Sequence, residues 1–527
     1  MHESIAMEFD VVIAGGGFAG AYCARALGRA LGREAGEQRV ALVAERNVLV
    51  FQPMLAEVAG SSLAAVDVVN PLRQFCRGVN VLQGAIQKID WASKTLTIDG
   101  GRFTRDHRVG FGHLVLAMGS VTDLHAVPGM TEYGRPVKDV SDALRLRAAF
   151  INRLEEANLV EDPPTRARLL TFVVIGGGYT GVEVAGQMFD FVRQAHAYYA
   201  NLRGISFRVV LVHSGTELLA EIGPELGAYA RKILEKRGVE VRLKSRVTAV
   251  TASQVILDDG SRIEANTVMT TIGNAPNPVV MDLCGQLGIV AQRGRVPTDP
   301  AMRVAGIKNL WAAGDGAAVP WVDKGHAKVS PQTAQFAFRQ GELLGRNVYN
   351  ALNGMEPRPF RYRYLGQLAS IGERKAVAEV LGFHFKGFIA WWMWRTIYLA
   401  KLPGTARKLR VMIDWTFDLV FPRDISQIMP PPDDLVRAIH LEDGETLFAK
   451  GTPCRGFFFV KLGSVKLSTP GLPDRVAGAG DVIDQSELDS SRLWESSAVA
   501  TKACDLIVFR GRLLEYLGKD LRIVKKG

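Results

Sequence analysis

A glycine-rich turn near the start of the sequence has the residue spacing that binds the phosphates of a dinucleotide. Gly15, Gly17 and Gly20 form a GxGxxG that follows the apolar, β-branched run at residues 9–14 and opens a helical pattern. In such a turn the first glycine permits the tight bend, the second lets the backbone approach a pyrophosphate, and the third lets helix and strand pack closely. The next apolar run ends at Glu45, which is placed to accept a hydrogen bond from a ribose hydroxyl. We therefore predict a dinucleotide-binding unit here.

The same arrangement returns later in the chain. An apolar run at residues 171–175 leads into Gly176, Gly178 and Gly181, and a second helical pattern follows. Two units of strand, glycine turn and helix predict one dinucleotide in each of two domains.

The second unit lacks one expected residue. Its second apolar run ends at His213 and Ser214 where a carboxylate is usual. An acidic residue there repels a 2′-phosphate, so its absence weakens the preference for NADH over NADPH. Arg208 and His213 are candidates to bind that phosphate.

A third signal lies at residues 308–313, an apolar run that reads as a strand and ends at Gly314 and Asp315. Asp315 is placed to bind a ribitol hydroxyl. With the two glycine turns, this pattern matches the flavin reductases that bind two dinucleotides. We expect FAD in the first unit and NADH or NADPH in the second.

Length and composition bound the remaining possibilities. The chain has 527 residues, which predicts about three or four domains, and its 47% hydrophobic and 22% charged residues suit a folded α/β protein. Five cysteines without CxxC spacing argue against a disulfide framework or a metal site. The net charge of +10 suits an anionic membrane face or cofactor as well as nucleic acid, so charge alone does not decide. The N-terminus lacks the pattern of a secretory signal, and no apolar run is long enough to span a bilayer.

Over roughly residues 8 to 428 the sequence resembles the type II NADH dehydrogenases, which are single-subunit NADH:quinone oxidoreductases. The stretches that carry the resemblance include VVIAGGGFAG, FQPMLAEVAG, VVIGGGYTGVEVAG, LWAAGDGA, TAQFAFRQGE, LASIGERKAV and IYLAKLPGTARKLRVMIDWTFDLVFPRDISQI. The last of these is the most specific to this family, since several others are shared by many flavin reductases.

The resemblance implies roles for particular residues. FAD would be bound by Gly15, Gly17, Gly20, Glu45, Asp315 and Ala334, and NAD(P)H by Gly176, Gly178, Gly181, Glu183, His213 and Gly273. Glu183 and Gln335 would be catalytic, and Gln335, Phe338 and Arg339 would contact the quinone, with Gln340 in the same motif. Phe338 and Arg339 depart from the family pattern, which leaves the quinone type open. Two alternatives also stay open: Glu183 as a carboxylate that merely caps its helix, and the Gln335 helix as a packing element.

Residues 383–410 combine aromatic and aliphatic side chains with basic ones and contain no acid. Aromatic rings favour the bilayer interface, and Lys and Arg favour anionic headgroups. We predict an amphipathic hairpin on the membrane surface, which would place the enzyme peripherally on the cytoplasmic side of the inner membrane. A helix pair buried in a homodimer is the alternative. The basic residues are Lys386, Arg395, Lys401, Arg407, Lys408 and Arg410.

After a proline break at residues 429–434, short β-branched runs alternate with glycine turns, and residues 435–520 resemble a cyclic-nucleotide-binding jelly roll, with a partner helix at 512–517. The ligand-binding cassette departs from that pattern. Asp484 and Gln485 replace its Gly-Glu, and Trp494 and Glu495 stand where an arginine pairs with the phosphate, with Arg492 displaced. We predict a degenerate module used for contacts or regulation.

The predicted fold is therefore α/β, with two Rossmann-like domains, a membrane-surface helical segment and a C-terminal β jelly roll. The predicted divisions are 8–150 and 286–380 for FAD, 151–285 for NAD(P)H, 381–428 for the membrane segment and 435–527 for the jelly roll. The predicted function is transfer of a hydride from NADH or NADPH to FAD and of two electrons to a membrane quinone of a respiratory chain, without proton pumping, metal or nucleic acid. The alternatives are a sulfide:quinone or disulfide reductase and a nucleotide-responsive sensor.

Overall fold

The computed structural model describes residues 7–101, 104, 106–323, 326–426, 436–452, 456–483 and 493–510. Several predicted features lie outside these residues: the proline break at 429–434, the partner helix at 512–517, Cys454, Asp484, Gln485 and Arg492.

The first glycine turn joins the central strand of a seven-stranded sheet to the helix Phe18–Leu31. The strands run in the order Asn80–Gln83, Val40–Ala44, Met7–Ala14, His107–Leu116, Thr95–Asp99 and Ala85–Asp90, and Leu310–Ala312 also pairs with His107–Leu116. The strand VALVA at Val40–Ala44 is buried along its whole length. A parallel strand covered on both faces has this uniformly apolar character, because both of its side-chain rows meet packed elements.

The second glycine turn lies in a five-stranded sheet whose neighbouring strands are all parallel. Its strands run in the order Gly134–Pro136, Thr267–Thr270, Thr171–Ile175, Arg208–Val212 and Val239–Arg242, followed by an antiparallel ribbon of Val247–Val250, Gln254–Leu257 and Arg262–Glu264. The helix Tyr179–His196 follows the turn.

The two sheets are joined by a two-stranded ribbon of Ser120–Thr122 and Asn274–Pro276. Because Gly134–Pro136 is already an edge strand of the second sheet, the chain leaves the first domain before residue 134 and not at the predicted 150. It returns through the second strand of the ribbon, so the predicted boundary at 285 also moves earlier.

The remaining elements fill the space around these sheets. The helices are Arg33–Arg39, Leu55–Ala59, Leu72–Phe75, Met130–Tyr133, Val140–Leu159, Pro163–Leu169, Pro224–Arg237, Pro278–Gln286 and Ala334–Leu352, with short 3₁₀ turns at Gln52–Met54, Ala65–Val68, Ala200–Leu202 and Ala220–Ile222. Small strand pairs are Val48–Val50 with Val69–Pro71, Val296–Pro297 with Ala317–Ala318, and Pro320–Asp323 with His326–Val329.

The segment predicted to be a helical hairpin begins with a strand. Gly366–Gly372, Lys375–Val380 and Phe383–Gly387 form a three-stranded antiparallel sheet. The helices Phe388–Lys401, here called the aromatic helix, and Thr405–Phe417, the basic helix, follow it. The predicted helical segment is therefore correct only from Phe388 onward, because residues 383–387 pair with a neighbouring strand.

The C-terminal residues form a six-stranded antiparallel sheet with its own apolar core. Its strands are Val436–Leu441, Thr446–Phe448, Gly456–Ser468, Arg475–Gly478, Val482–Ile483 and Ser497–Arg510. The sheet contacts the second dinucleotide domain, where the Glu445 carboxylate accepts hydrogen bonds from Thr251 Oγ1 and Gln254 Nε2, each over 2.7 Å.

Candidate active site

Two adjoining cavities lie between the domains. One of about 400 Å³ follows the first glycine turn and contains Glu45, and one of about 740 Å³ reaches from the second glycine turn to the aromatic helix. Both volumes lie in the range of cofactor sites, so together they suit an extended dinucleotide and its partner. The residues that line both cavities are Phe18, Gln52, Ser120, Lys138, Asp315 and Ala334.

The glycines of the first turn occupy the three positions that the sequence predicts. Gly15 has a φ of +113°, which a residue with a side chain rarely adopts. A Cβ at Gly20 would overlap the carbonyl oxygen of Gly15, whereas a Cβ at Gly17 would have no neighbour within 4 Å. Gly17 thus faces the space that a pyrophosphate needs, and Gly20 serves only the close packing of helix and strand.

The second turn repeats this division of roles. Gly176 has a φ of +110°, and a Cβ at Gly181 would overlap the carbonyl oxygen of Gly176. Gly178 has open space where its Cβ would be, and it lines the larger cavity. The backbone of both turns therefore fits a dinucleotide phosphate.

Asp315 lies where the two cavities meet, at the end of the predicted third strand. Burial raises its pKa, and the cations Lys138 and Arg295 act against that rise. Lys138 Nζ also donates to the carbonyl oxygen and the hydroxyl of Ser120, over 2.5 and 3.2 Å. A carboxylate held beside a cation suits the polar chain of a flavin dinucleotide. Lys138 was missed in the sequence because no motif marks it, and it reaches the cavity only through the strand Gly134–Pro136.

Asp315 is positioned by a residue of the predicted quinone motif. Gln340 is buried, its Oε1 accepts from the backbone N–H of Gly314 over 2.8 Å, and its Nε2 donates to Ser330 Oγ over 2.9 Å. Gln340 therefore orients the turn before Asp315 and does not face a substrate.

His213 supports the second glycine turn. Its Nδ1 accepts from the backbone N–H of Gly177 over 3.1 Å, and the backbone of Glu217 hydrogen-bonds to the same ring. Burial lowers the pKa of the imidazole. A neutral ring with backbone partners braces the turn and is a poor phosphate ligand.

The predicted role of Arg208 in binding a phosphate is wrong. Arg208 begins the strand that His213 follows, and five residues at about 3.3 Å each place the two about 17 Å apart. Its guanidinium pairs with Glu240 over 2.8 Å. Ligands bind at the carboxyl ends of parallel strands, so Arg208 is at the wrong end.

Gly273 has a structural role that the sequence did not indicate. Its φ is +89°, its carbonyl oxygen accepts from the backbone N–H of Asp123 over 2.6 Å, and a Cβ would overlap the backbone of Asp123. The glycine permits the close approach of the two linking strands. Its neighbours Ile272 and Asn274 line the larger cavity.

Glu183 lines the larger cavity and is 8% exposed. Its Oε1 accepts from the backbone N–H of Ser370 and from Trp394 Nε1, each over 3.1 Å. Burial raises the pKa of this carboxyl to about 8. The helix begins at Tyr179 and has no acidic residue in its first turn, so the capping alternative is wrong. Glu183 is therefore a buried carboxyl group with a raised pKa, beside the cavity.

The predicted quinone residues divide into two groups. Ala334, Gln335 and Phe338 line the larger cavity. Gln335 is held in place, because its Nε2 donates to the carbonyl oxygen of Gly366 over 3.2 Å and its Oε1 accepts from Tyr362 Oη over 3.0 Å. The amide therefore shapes the wall and is a positioning group in this arrangement.

Arg339, in contrast, is absent from the described lining of that cavity. Its guanidinium lies 4.4 Å from the ring centre of Phe338 and 4.2 Å from that of Tyr362. Its Nη1 also donates to the carbonyl oxygen of Gln335 over 2.8 Å. Arg339 supports this turn of the helix through those contacts, and its contact with a quinone stays a prediction.

Among the residues that sequence reasoning did not assign to the site, Tyr179, Tyr398 and Lys401 also line the larger cavity. Tyr179 follows the second glycine turn directly, and its hydroxyl is buried with no hydrogen-bond partner among the described residues. Tyr398 and Lys401 come from the aromatic helix, so only the folding of that helix onto the core brings them here.

The cysteines that the structure describes are unsuited to redox chemistry. Cys23, Cys76, Cys284 and Cys504 are buried and unpaired by disulfides. Cys23 and Cys76 are neighbours in space, which their sequence separation did not suggest. Burial raises the pKa of both, to about 12 for Cys76, and a thiol is nucleophilic only as the thiolate.

Comparison with known proteins identifies close similarities. Residues 9–341 match the pyridine nucleotide-disulphide oxidoreductase family, and residues 364–424 match the NDH2 C-terminal domain family. The chain is 30% identical to the type II NADH:quinone oxidoreductase Ndh of Mycobacterium tuberculosis over 78% of this chain and 88% of that protein. It is 29% identical to the demethylphylloquinone reductase NdbB of a Synechocystis species over 77% and 95%.

Solved structures show the same fold. An NDH2 from Plasmodium falciparum in complex with NADH superposes with a TM-score of 0.71 at 18% identity, over 79% of this chain and 99% of that one. The sulfide:quinone oxidoreductase of Aquifex aeolicus gives 0.56 at 19% identity, over 78% and 92%. The architecture is that of the α/β flavin reductases that bind two dinucleotides.

Proposed function

The chain belongs to the type II NADH:quinone oxidoreductase family, and we propose that it oxidises NADH and reduces a quinone by two electrons, with FAD as its cofactor. The observation that carries this proposal is the pair of adjoining cavities, each beginning at a glycine turn with open space at its middle glycine, with Glu183 in the wall of the larger one.

FAD would be held by the first glycine turn, Glu45 and Asp315. Bound FAD would accept a hydride from the nicotinamide and pass two electrons to the quinone. The protein orients the reactants: the second glycine turn receives the NADH pyrophosphate, while Ala334, Gln335 and Phe338 form one wall of the larger cavity.

Quinone reduction by NADH consumes one proton from solution in addition to the hydride. Glu183 suits this requirement because it is protonated at neutral pH and lines the cavity. A carboxylic acid with a pKa near the working pH is an effective proton donor. Its two hydrogen-bond donors, from Ser370 and Trp394, both point at Oε1 and fix the orientation of the carboxyl group.

NADPH is proposed as a second electron donor. The strand end that usually carries an acid has Ser214, and the neighbouring strand end brings in Lys244, whose backbone N–H donates to the carbonyl oxygen of Gly215 over 2.9 Å. Lys244 is exposed. A hydroxyl and an ammonium at this position would donate hydrogen bonds to a 2′-phosphate, whereas a carboxylate would repel it.

Membrane attachment is proposed through the outer faces of the aromatic and basic helices. On the first helix, Phe388, Ile389 and Trp392 are 61%, 61% and 59% exposed. On the second and just beyond it, the exposed apolar residues are Leu409, Met412, Ile413, Phe417, Leu419, Val420 and Phe421. Aromatic side chains beside lysines and arginines suit an anionic bilayer interface. Among the residues that the structure describes, no helix has the length and apolar character to cross a bilayer.

One predicted headgroup ligand is wrong. Arg395 is turned inward, with 13% of its side chain exposed, and lies over the rings of Trp391 and Trp415 at 4.2 and 4.7 Å. Arg410 is the proposed outward cation, with 65% of its side chain exposed. Because the same aromatic helix supplies Tyr398 and Lys401 to the cavity, a lipid-dissolved quinone would have a short path from this face.

The C-terminal sheet is proposed to be a contact or regulatory module with a jelly-roll fold. The ring of Trp494, at the position of the missing arginine, stacks on Phe448 with centroids 3.8 Å apart and is 5% exposed. A buried aromatic pair is a poor site for a cyclic phosphate. Titration of the full chain with cyclic AMP should give no saturable binding, and a measurable affinity would contradict this.

The main proposal is tested by steady-state oxidation of NADH and of NADPH by the FAD-loaded protein, with and without a soluble quinone analogue. Quinone-dependent turnover is expected. Reduction of the flavin without quinone turnover would contradict the proposal and would favour another acceptor or a sensor. Sulfide-dependent turnover would favour the sulfide:quinone alternative, against which the buried thiols argue.

A further inference from the structure

A second buried carboxyl group lies behind the wall that carries Glu183. Glu57, on the short helix Leu55–Ala59, is 3% exposed, and its Oε2 accepts from Trp415 Nε1 over 2.8 Å. Nothing in the proposed mechanism uses it. A buried ionisable group is costly to retain unless its charge is compensated, so its surroundings are informative.

Glu57 and Glu183 are arranged in the same way on either side of one aromatic pair. Trp415 from the basic helix donates to Glu57, Trp394 from the aromatic helix donates to Glu183, and the two rings lie with centroids 6.1 Å apart. Both carboxyls are therefore removed from water and separated chiefly by indole. In such a medium, like charges interact strongly.

The charges that face the two carboxyls differ. Glu57 faces Arg395, Arg423 and Asp418, and Asp418 pairs with Arg423 over 3.3 Å and with Arg395 over 3.9 Å. Two guanidinium groups and one carboxylate leave one positive charge, which ionised Glu57 would neutralise.

The described groups around Glu183, in contrast, are the Ser370 amide, Trp394 and Tyr398, all of which are neutral at pH 7, and Glu57. Burial raises the pKa of Glu57 to about 7, and that of Glu183 to about 8 with repulsion from Glu57 as a further cause. The net positive charge beside Glu57, which the described surroundings of Glu183 lack, favours Glu57 as the first of the two to ionise.

We propose that Glu57, as the carboxylate, is a positioning residue that holds Glu183 in its protonated form beside the cavity. The negative charge of Glu57 makes ionisation of Glu183 unfavourable, because both groups are buried away from water. Glu183 therefore keeps its proton until a substrate takes it. This rests on the proposed function only in the use made of that proton.

The test is the infrared band of the protonated Glu183 carboxyl in the FAD-loaded full chain, assigned by its loss in Glu183→Gln and followed against pH. Glu57→Gln, which keeps a hydrogen-bond acceptor for Trp415, should lower the midpoint of that titration by about one pH unit. The alkaline limb of quinone turnover should fall by the same amount. An unchanged or raised midpoint would overturn the proposal.

Two further variants keep the test decisive if Glu57→Gln folds poorly. Trp415→Phe removes the donor that favours the Glu57 carboxylate, so it should lower the midpoint in the same direction by less. Trp394→Phe removes the donor on Glu183 itself, so it should raise the midpoint. Glu34→Gln, an exposed acid on the helix Arg33–Arg39, should change nothing. Absence of quinone turnover in the native chain together with the expected midpoint shift would refute the proposed function and leave the coupling intact.

Discussion

The indole nitrogen of Trp394 donates to Glu183 Oε1 over 3.1 Å, across 211 positions of sequence. The bond joins the second dinucleotide domain to the aromatic helix, whose outer face is exposed. A group in the wall of the larger cavity is thereby linked to the proposed membrane surface by one contact. This contact also explains why the Glu183 carboxyl is shielded from water, since the indole ring of Trp394 covers it.

The first prediction concerns Glu183. Replacement by Gln keeps a group of the same size in the wall but removes the proton, so quinone-dependent turnover should fall by about 10²-fold or more. The flavin absorbance of the purified variant should be unchanged. Unaltered turnover would show that Glu183 is only a packing residue.

The second prediction separates the roles of two glycines in one turn. Gly178→Ala adds a methyl group where the structure has open space, so it should raise the KM for NADH at least tenfold without lowering the Tm. Gly181→Ala forces a methyl group against the Gly176 carbonyl oxygen, so it should lower the Tm or prevent folding. Thermal melts and steady-state kinetics of both variants check this. Equal losses of stability would contradict the assignment.

The third prediction concerns the nicotinamide donor. Ser214→Asp introduces the missing acid, so it should reduce kcat/KM for NADPH by about tenfold or more relative to NADH. Lys244→Ala should reduce it in the same direction, whereas Arg208→Ala should not, because Arg208 lies at the opposite strand end and pairs with Glu240. The NADPH to NADH ratio of kcat/KM is the measurement. A fall for Arg208→Ala alone would show that Arg208 binds the 2′-phosphate after all.

The fourth prediction concerns the outer face. The double variant Phe388→Ser and Trp392→Ser should weaken cosedimentation with vesicles that contain anionic lipid by about tenfold, because it removes two side chains that would enter the interface. Leu159→Ser, at a leucine on the helix Val140–Leu159 that is 80% exposed, is the control and should not change binding. If the double variant binds as well as the native chain but loses a dimer in solution, the helix pair is an interface between copies.

The fifth prediction follows from linkage. The pKa values of Glu57 and Glu183 are raised from 4.5 to about 7 and about 8 by burial. The stability that depends on their protons is fully present below about pH 4.5 and is lost as the pH rises through 7 and 8. The Tm should fall across this window, and Glu57→Gln and Glu183→Gln should each flatten the fall. A native Tm that rises between pH 5 and 8, together with the same pH dependence in both variants, would argue that the two carboxyl groups are not buried.

The sequence by itself determined the two dinucleotide units and the positions of their glycines. These features are local, because a turn that must bend at Gly15 or Gly176 and open at Gly17 or Gly178 carries its geometry in the residue types of a few neighbouring positions. Uniform apolar runs in the sequence also predicted the buried strands that flank these turns. Asp315 was found for the same reason, since it ends such a run.

Only the tertiary structure decided what surrounds Glu183. Trp394, Tyr398 and Lys401 reach the cavity because the aromatic helix folds back onto the core, and no local pattern specifies that approach. The position of Arg395 was also decided only by the tertiary structure. Its basic and aromatic sequence neighbours predict a membrane surface, but its guanidinium lies between the rings of Trp391 and Trp415. A pKa depends on burial and on charges brought from distant segments, so the protonation of a carboxyl cannot be read from its neighbours in sequence.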